Sequence, residues 1–200
     1  MTSARLSAPE RRQAVLDNAC RIFSEGSYSG TTTAEIARES GVSEPILYRH
    51  FASKCALYLA CLDAAWVDTR ARWDAAVAGE PDPRRWVPAI ASAAFEVGSG
   101  PAVLADLWVQ ALSVANDDTA INAALSAQMR EVHDYVAELI RRSQAAGGAV
   151  AERDADAEAW IFVSVGLLRT LAGRLDGLLT LDDLVRIRAS RTEWMRGSAA

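Results

Sequence analysis

The sequence predicts an all-α protein of about nine helices. Half of its 200 residues are apolar, which is enough for a buried core. Apolar residues recur three and four positions apart along most of the chain, and no segment shows the period-two alternation that is typical of a strand. Clusters of Gly, Pro, Ser and Asp separate these segments and mark where each helix begins and ends.

The helix boundaries follow from capping and helix-breaking residues. A first helix is expected from Pro9 to Glu25, because Ser7 and Glu10 have the spacing of a capping box. Two short helices follow, and a long fourth helix is expected from Ser53 to Gly79. The remaining helices are expected at about 83–97, 100–116, 119–146, 154–176 and 181–195.

The second and third helices form a pair joined by a tight turn. Thr32 is a favourable N-cap for the second helix, and Gly41 stands where the chain must take a left-handed conformation. Ser43 is expected to cap the third helix, on which Leu47 and Phe51 share the buried face. The side chains left free are Glu44, Pro45, Ile46, Tyr48, Arg49 and His50. A short helix with such a free face, set on a helix-turn-helix, is typical of proteins that read the DNA major groove.

The N-terminal part of the chain resembles the TetR family of bacterial transcriptional repressors. The resemblance rests on residues at fixed spacings, namely Gly26, Thr31-Thr32, Ile36-Ala37, Gly41-Val42-Ser43, Leu47-Tyr48, His50-Phe51 and Lys54. It implies a DNA-binding domain over 9–69, with its motif at about 32–51, and a ligand-binding and dimerisation domain over 70–200. It also implies a homodimer that binds double-stranded, palindromic operator DNA and is released by a small-molecule effector.

The resemblance implies roles for single residues as well. The residues that match phosphate contacts are Thr32, Thr33, His50 and Lys54. The residues that match contacts to base edges are Glu44, Pro45 and Tyr48, and Ser43 is also expected at the DNA interface. Ile46 either touches a thymine methyl group or is half-buried, and Glu44 either accepts from a cytosine amino group or stabilises the helix dipole. Ala34 departs from the family pattern, since some members place a basic residue there.

The charge distribution agrees with specific rather than indiscriminate DNA binding. The net charge is −5, yet residues 1–55 hold seven Lys/Arg against six Asp/Glu, whereas residues 56–200 hold fourteen against twenty. The N-terminal part is therefore the relatively positive one. Arg49 and Lys54 are among its expected phosphate partners, and binding should weaken as salt is raised.

Six tryptophans in a chain of this length are many, and several fall on neighbouring helices of the C-terminal part. Such a cluster predicts a cavity for a flat, hydrophobic or cationic effector. The residues expected to line it are Trp66, Arg70, Trp73, Trp86, Phe95, Trp108, Gln128, Tyr135 and Trp160. The alternative is that these aromatic side chains only fill the core.

The eighth helix is apolar on much of its surface, so it needs more than one packing partner. We expect it to form, with the ninth helix, a four-helix bundle between two protomers. The expected interface residues are Val163, Leu167, Leu171, Leu175, Leu184 and Met195. The alternative is burial within the chain alone.

The remaining sequence signals are negative. The sequence shows no nucleophile–base pair, no metal-binding Cys or His spacing and no Gly-rich phosphate loop, so we expect no enzyme activity, metal or cofactor. No apolar run approaches the roughly 20 residues that span a bilayer, which favours a cytoplasmic protein without a membrane partner. The three cysteines are expected to be small apolar residues, with a redox sensor as the alternative. The leading function is a ligand-responsive repressor; the alternatives are a DNA binder without an effector and an all-helical enzyme.

Overall fold

The computed structural model describes residues 7–94, 100–175 and 178–197. Over these ranges the chain is helical and contains no strand, which confirms the all-α prediction. The helices are α1 (Ala8–Glu25), α2 (Thr33–Glu39), α3 (Glu44–His50), α4 (Lys54–Ala78), α5 (Trp86–Ala94), α6 (Gly100–Ala115), α7 (Thr119–Ala145), α8 (Ala155–Arg174) and α9 (Leu181–Arg196). None of these helices is long and apolar enough to span a bilayer.

Local capping explains where the helices begin. Ser7 and Glu10 form the expected capping box at the start of α1, and the Asp118 carboxylate accepts from the first amides of α7. The fifth helix differs from the prediction, because Pro83–Arg85 forms a single 3-10 turn and α5 starts only at Trp86. Its expected end near residue 97 lies outside the described residues.

Helices α1 to α3 and the first half of α4 enclose one part of the core. Phe23, Ile36 and Leu47 are fully buried there, and each such side chain contributes about 1.5–3 kcal/mol by its removal from water. The rings of Phe23 and Tyr58 meet edge to face at 4.9 Å, as do those of Tyr28 and Tyr58. This packing fixes α4 against α1 and the loop that follows it.

Helix α4 joins this part to the rest of the molecule. It contacts α1 near its start and α5, α6 and α7 further along. The buried Tyr58 hydroxyl donates to the Leu107 carbonyl on α6. The buried Gln128 side chain of α7 accepts from the Trp108 indole at 2.7 Å and donates to the Leu62 carbonyl at 2.9 Å. Three helices therefore meet at one amide group, and α4 cannot move without disturbing α6 and α7.

The expected dimer residues do not share one exposed face, and the assignment needs a correction. Val163 and Met195 are buried in the core of the chain itself, because α8 packs this side on α6 and α7 and Met195 faces the interior. Leu167 and Leu184 are half-buried. Only Leu171 and Leu175 are largely exposed, at 42% and 55%.

Candidate nucleic-acid interface and effector cavities

The turn between α2 and α3 has the geometry that its sequence predicts. Gly41 has a φ of 65°, a conformation that a side chain would strain. The Gly41 amide donates to the Arg38 carbonyl at 3.1 Å, and the Val42 amide donates to the Ala37 carbonyl at 3.0 Å. The Ser43 carbonyl accepts from the Ile46 and Leu47 amides of α3, but its hydroxyl makes no capping bond, which corrects its expected role. The Ser43 side chain is exposed instead.

Helix α3 has one buried face and one exposed face. Leu47 and Phe51 are buried against the core, as predicted. The exposed residues of α3 are Pro45, Tyr48 and Arg49, and the half-buried ones are Glu44, Ile46 and His50. The Tyr48 residue is 47% exposed. A short helix thus presents an aromatic hydroxyl and a guanidinium outward from a fixed turn.

A hydrogen-bonded cluster ties this exposed face to α2. The Thr33 hydroxyl donates to Glu44 Oε1 at 2.5 Å, and the Tyr48 hydroxyl lies 3.0 Å from the same Thr33 oxygen. Since the Thr33 proton goes to Glu44, the Tyr48 hydroxyl is the donor in the second bond. The cluster holds the Tyr48 side chain in one orientation before any partner binds.

The same cluster corrects the role expected for Thr33. Its side chain is only 8% exposed and its hydroxyl is occupied by Glu44 and Tyr48, so the hydroxyl is unsuited to meet a phosphate and only the Thr33 N–H remains for that expected contact. Thr32, in contrast, is exposed and its hydroxyl accepts from the Glu35 amide at the start of α2. The sequence holds no clear signal for the cluster, because its members lie eleven and fifteen positions apart and meet only through the turn.

Cationic side chains surround this surface. Lys54 Nζ lies 4.5 Å above the Tyr28 ring, and partial burial lowers the pKa of Lys54. The Arg12 guanidinium lies 4.7 Å above the Phe51 ring. Both cations are held by aromatic faces near the ends of α3 and α4, while Arg49 extends into solvent.

The nine residues expected to line one effector cavity are divided by the structure. Trp73 and Trp108 line a small cavity of about 50 Å³ between α4, α6, α7 and α8. Trp66, Arg70 and Tyr135 line a separate groove on the outer surface. The Tyr135 hydroxyl donates to Asp74 at 2.8 Å, and its pKa is raised by burial.

Of the other four residues, Gln128, Trp160 and Trp86 take no part in the cavity. The Gln128 amide is occupied by Trp108 and Leu62 and serves the core. Trp160 is 45% exposed and stacks on the His133 ring at 4.4 Å, outside any enclosed space. The Trp86 indole donates to the Glu80 carbonyl and its ring lies beneath the Arg142 guanidinium. Phe95 lies outside the described residues.

A second cavity, which the sequence analysis did not anticipate, has a volume of about 100 Å³ between α5, α7, α8 and α9. Its walls are mostly apolar, and the charged residues that line it are Arg84, Glu158, Arg169, Arg188, Arg191 and Arg196. Phe162 and Gly166 of α8 line this cavity and the smaller one, so the two cavities adjoin. The sequence signal that could have indicated this cavity is the spacing of Arg188, Arg191 and Arg196, which places them on one side of α9.

The cysteines lie in the N-terminal part. Cys61 is fully buried, and burial raises the pKa of its thiol. Burial also raises the pKa of Cys55. Because the thiolate is the reactive form, both thiols are poorly suited to redox sensing.

The geometry of α2, the turn and α3 defines a helix-turn-helix protein. The family described as bacterial regulatory proteins, tetR family, matches residues 15–61. A segment of 58 residues is 47% identical to the HTH-type transcriptional activator FasR of Mycolicibacterium smegmatis, over 29% of this chain and 26% of that relative. Residues 15–61 therefore match the tetR family, and the chain spans only about a quarter of the length of this curated relative.

Solved structures extend the likeness to the whole fold. A TetR-family transcriptional regulator from Agrobacterium tumefaciens superposes with a TM-score of 0.80 at 18% identity, over 94% of this chain and 99% of that one. A transcriptional regulator from Saccharomonospora viridis, solved in complex with choline, gives a TM-score of 0.79 at 18% identity, over 91% and 95%. At this identity the likeness shows a shared fold. The similar proteins named here are transcriptional regulators.

Proposed function

We propose that the protein is a DNA-binding transcriptional regulator with a DNA-binding domain at 9–69 and an effector-binding and dimerisation domain at 70–200. The observation that carries this proposal is the exposed outer face of α3, with Tyr48 held in place by Thr33 and Glu44. Side chains fixed in this way can read base edges, while the surrounding cations hold the phosphates. Such a regulator acts in the cytoplasm, where the DNA lies.

Exposed apolar side chains support a homodimer through α8, α9 and the segment between them. They are Leu171, Leu175, Leu178, Leu181 and Val185, each at least 42% exposed. Apolar side chains exposed in this number would be covered if two copies formed a four-helix bundle. A two-fold axis there would set two α3 helices on successive major grooves, about 34 Å apart, and would require a palindromic site.

The effector mechanism we propose is a shift between two dimer conformations. Trp73 lies on α4 and lines the smaller cavity, so a molecule bound there touches the helix that also packs on α1. A ligand that favours one tilt of α4 changes the spacing of the two α3 helices and releases the DNA. A protein of this kind acts as a repressor when its DNA site overlaps a promoter, because the effector then releases the promoter. The relative FasR, in contrast, is named an activator.

A salt titration on the gene's own upstream intergenic DNA, with competitor DNA present, tests this function. Protection of a two-fold-symmetric site supports the proposal. Binding without sequence preference at every salt concentration would contradict a regulator of this kind. Dimer formation is measured on the same sample by sedimentation, with Leu175→Glu as the variant expected to dissociate it.

The Lys54→Gln variant should weaken binding to all DNA sequences alike. The ammonium is held over Tyr28 beside α3, where it can neutralise one phosphate. Its loss should lower the slope of log K against log salt by about one per protomer. Arg186→Gln is the control, because it removes an exposed cation from α9, and it should leave the slope unchanged. A changed preference among sequences would contradict a phosphate role for Lys54.

A further inference from the structure

The larger cavity combines apolar walls with a positively charged rim. Val87 and Ala91 of α5, Val165 of α8 and Ile187 of α9 are among its wall residues. Five arginines and a single glutamate complete the lining, in a chain whose net charge is −5. Positive charge is therefore concentrated here against the overall sign of the protein, which favours an anion over a cation.

The single glutamate does not neutralise this rim. Glu158 is already bound, since it accepts from the Arg191 guanidinium and from the Trp194 indole. Among the described residues, no carboxylate lies within ion-pair distance of Arg169, Arg188 or Arg196, whereas Arg84 pairs with Asp82. Arg188 is engaged by the Ser92 hydroxyl at 3.2 Å, a neutral partner.

The burial of the arginines is graded from the walls to the surface. Arg169 and Arg191 are half-buried, and burial lowers the pKa of Arg191. Arg188 and Arg196 are exposed, and both also line a cleft on the outside of α9. A molecule with a charged head and an apolar tail fits this gradient, because its head stays at the wet rim while its tail enters the cavity.

The adjoining smaller cavity sets the length of the tail. The larger cavity has a volume of about 100 Å³ and the smaller one about 50 Å³, and Phe162 and Gly166 line both of them. An apolar cavity of about 150 Å³ holds one benzene ring, so the combined space takes about six carbon atoms. A Cβ placed on Gly166 would meet no atom within 4 Å, so the backbone itself faces open space at this junction.

From these contacts we propose that the effector is an amphiphilic carboxylate with a tail of about six carbons, bound with its head at Arg188 and Arg196 and its tail passing Gly166 toward Trp73. This inference rests on the proposed regulatory function, since it names the class of effector. It also connects the rim to α4, because Trp73 is an α4 residue at the far end of the tail's path.

The test is calorimetric titration of the full chain, without DNA, with a series of straight-chain carboxylates from butanoate to decanoate. Affinity should rise about fourfold with each added methylene and level off near six carbons. Hexyltrimethylammonium and hexanol, which carry a tail of similar length but lack the negative head, should bind at least about tenfold more weakly than hexanoate. Failure of every carboxylate to bind, or equal binding of the cation, overturns the inference.

Matched variants locate the site. Gly166→Leu should abolish hexanoate binding by filling the junction, while Leu is also the better helix former. Gly173→Leu is the control, because it lies on the same helix and likewise has open space at its Cβ, but does not line the cavity. Arg188→Gln should weaken hexanoate about tenfold and leave hexanol unchanged. Equal loss in Gly166→Leu and Gly173→Leu would overturn the placement.

The two proposals fail in distinguishable ways. Hexanoate binding by a protein without a specific DNA site would preserve the cavity assignment and contradict the regulatory function. Specific DNA binding that hexanoate leaves unchanged, with no calorimetric signal, would preserve the regulator and overturn the effector class. Circular dichroism of each variant confirms that a lost signal does not arise from unfolding.

Discussion

Tyr48→Ala should lower the affinity for the specific DNA site by a hundredfold or more while leaving the fold intact. The side chain is 47% exposed and is not part of the buried core, so its removal costs little stability. A well-placed contact to a base edge is worth about 1–3 kcal/mol, and a dimer would lose it at both half-sites. Binding of the variant to specific and to competitor DNA, compared with the parent in the same salt, measures the effect.

Tyr48→Phe separates the two ways in which this tyrosine can act. The substitution keeps the ring but removes the hydroxyl that bonds to Thr33. If the ring itself contacts a base, Tyr48→Phe should lose far less affinity than Tyr48→Ala. If the hydroxyl contributes only by fixing the side chain, Thr33→Val should reproduce the loss of Tyr48→Phe. Normal affinity of Tyr48→Ala would refute the assignment of α3 to the groove.

The helix-turn-helix could be predicted because its determinants are local. Gly41 must adopt a positive φ, and Leu47 and Phe51 share a face by spacing alone. Some helix starts could be predicted for the same reason, since the side chains of Ser7 and Asp118 accept from amides two or three positions away. The hydrogen-bonded cluster around Thr33 could not be predicted from the sequence, because its bonds cross the turn and depend on how α3 lies against α2.

The effector site was only partly predictable for a related reason. Helical periodicity tells which residues of a helix share a face, but it does not tell which helix covers that face. The aromatic residues were therefore expected in one cavity, whereas the rings of Trp66, Trp73 and Tyr135 pack on one another within 6.1 Å. The open space lies instead beside Gly166, where small residues leave room.

The dimer face illustrates the same limit on α8. Every third or fourth residue is apolar around much of this helix, so the sequence leaves its inner and outer sides undecided. Contact with α6 and α7 decides between them, because it buries Val163 and leaves Leu171 and Leu175 exposed. A partner helix can only be inferred for the side that the chain itself leaves uncovered.

Gln128→Leu should lower the free energy of unfolding by about 3 kcal/mol. The substitution leaves the buried Trp108 indole without an acceptor, which costs about 1–3 kcal/mol, and it also removes the second hydrogen bond to the Leu62 carbonyl, which still accepts within α4. Gln110→Leu is the matched control, since the Gln110 amide nitrogen is buried and has no hydrogen-bond partner among the described residues. Removing that unmet donor should leave stability unchanged or raise it.

Urea unfolding followed by circular dichroism measures both variants, and the midpoints should move apart while the slopes stay equal. The difference matters for function because Gln128 bonds to α4, the helix that we propose transmits the effector signal. A Gln128→Leu protein of normal stability would show that the amide is not structural and would return Gln128 to the effector site. Equal destabilisation by Gln128→Leu and Gln110→Leu would instead show that core volume, rather than this pair of hydrogen bonds, sets the cost.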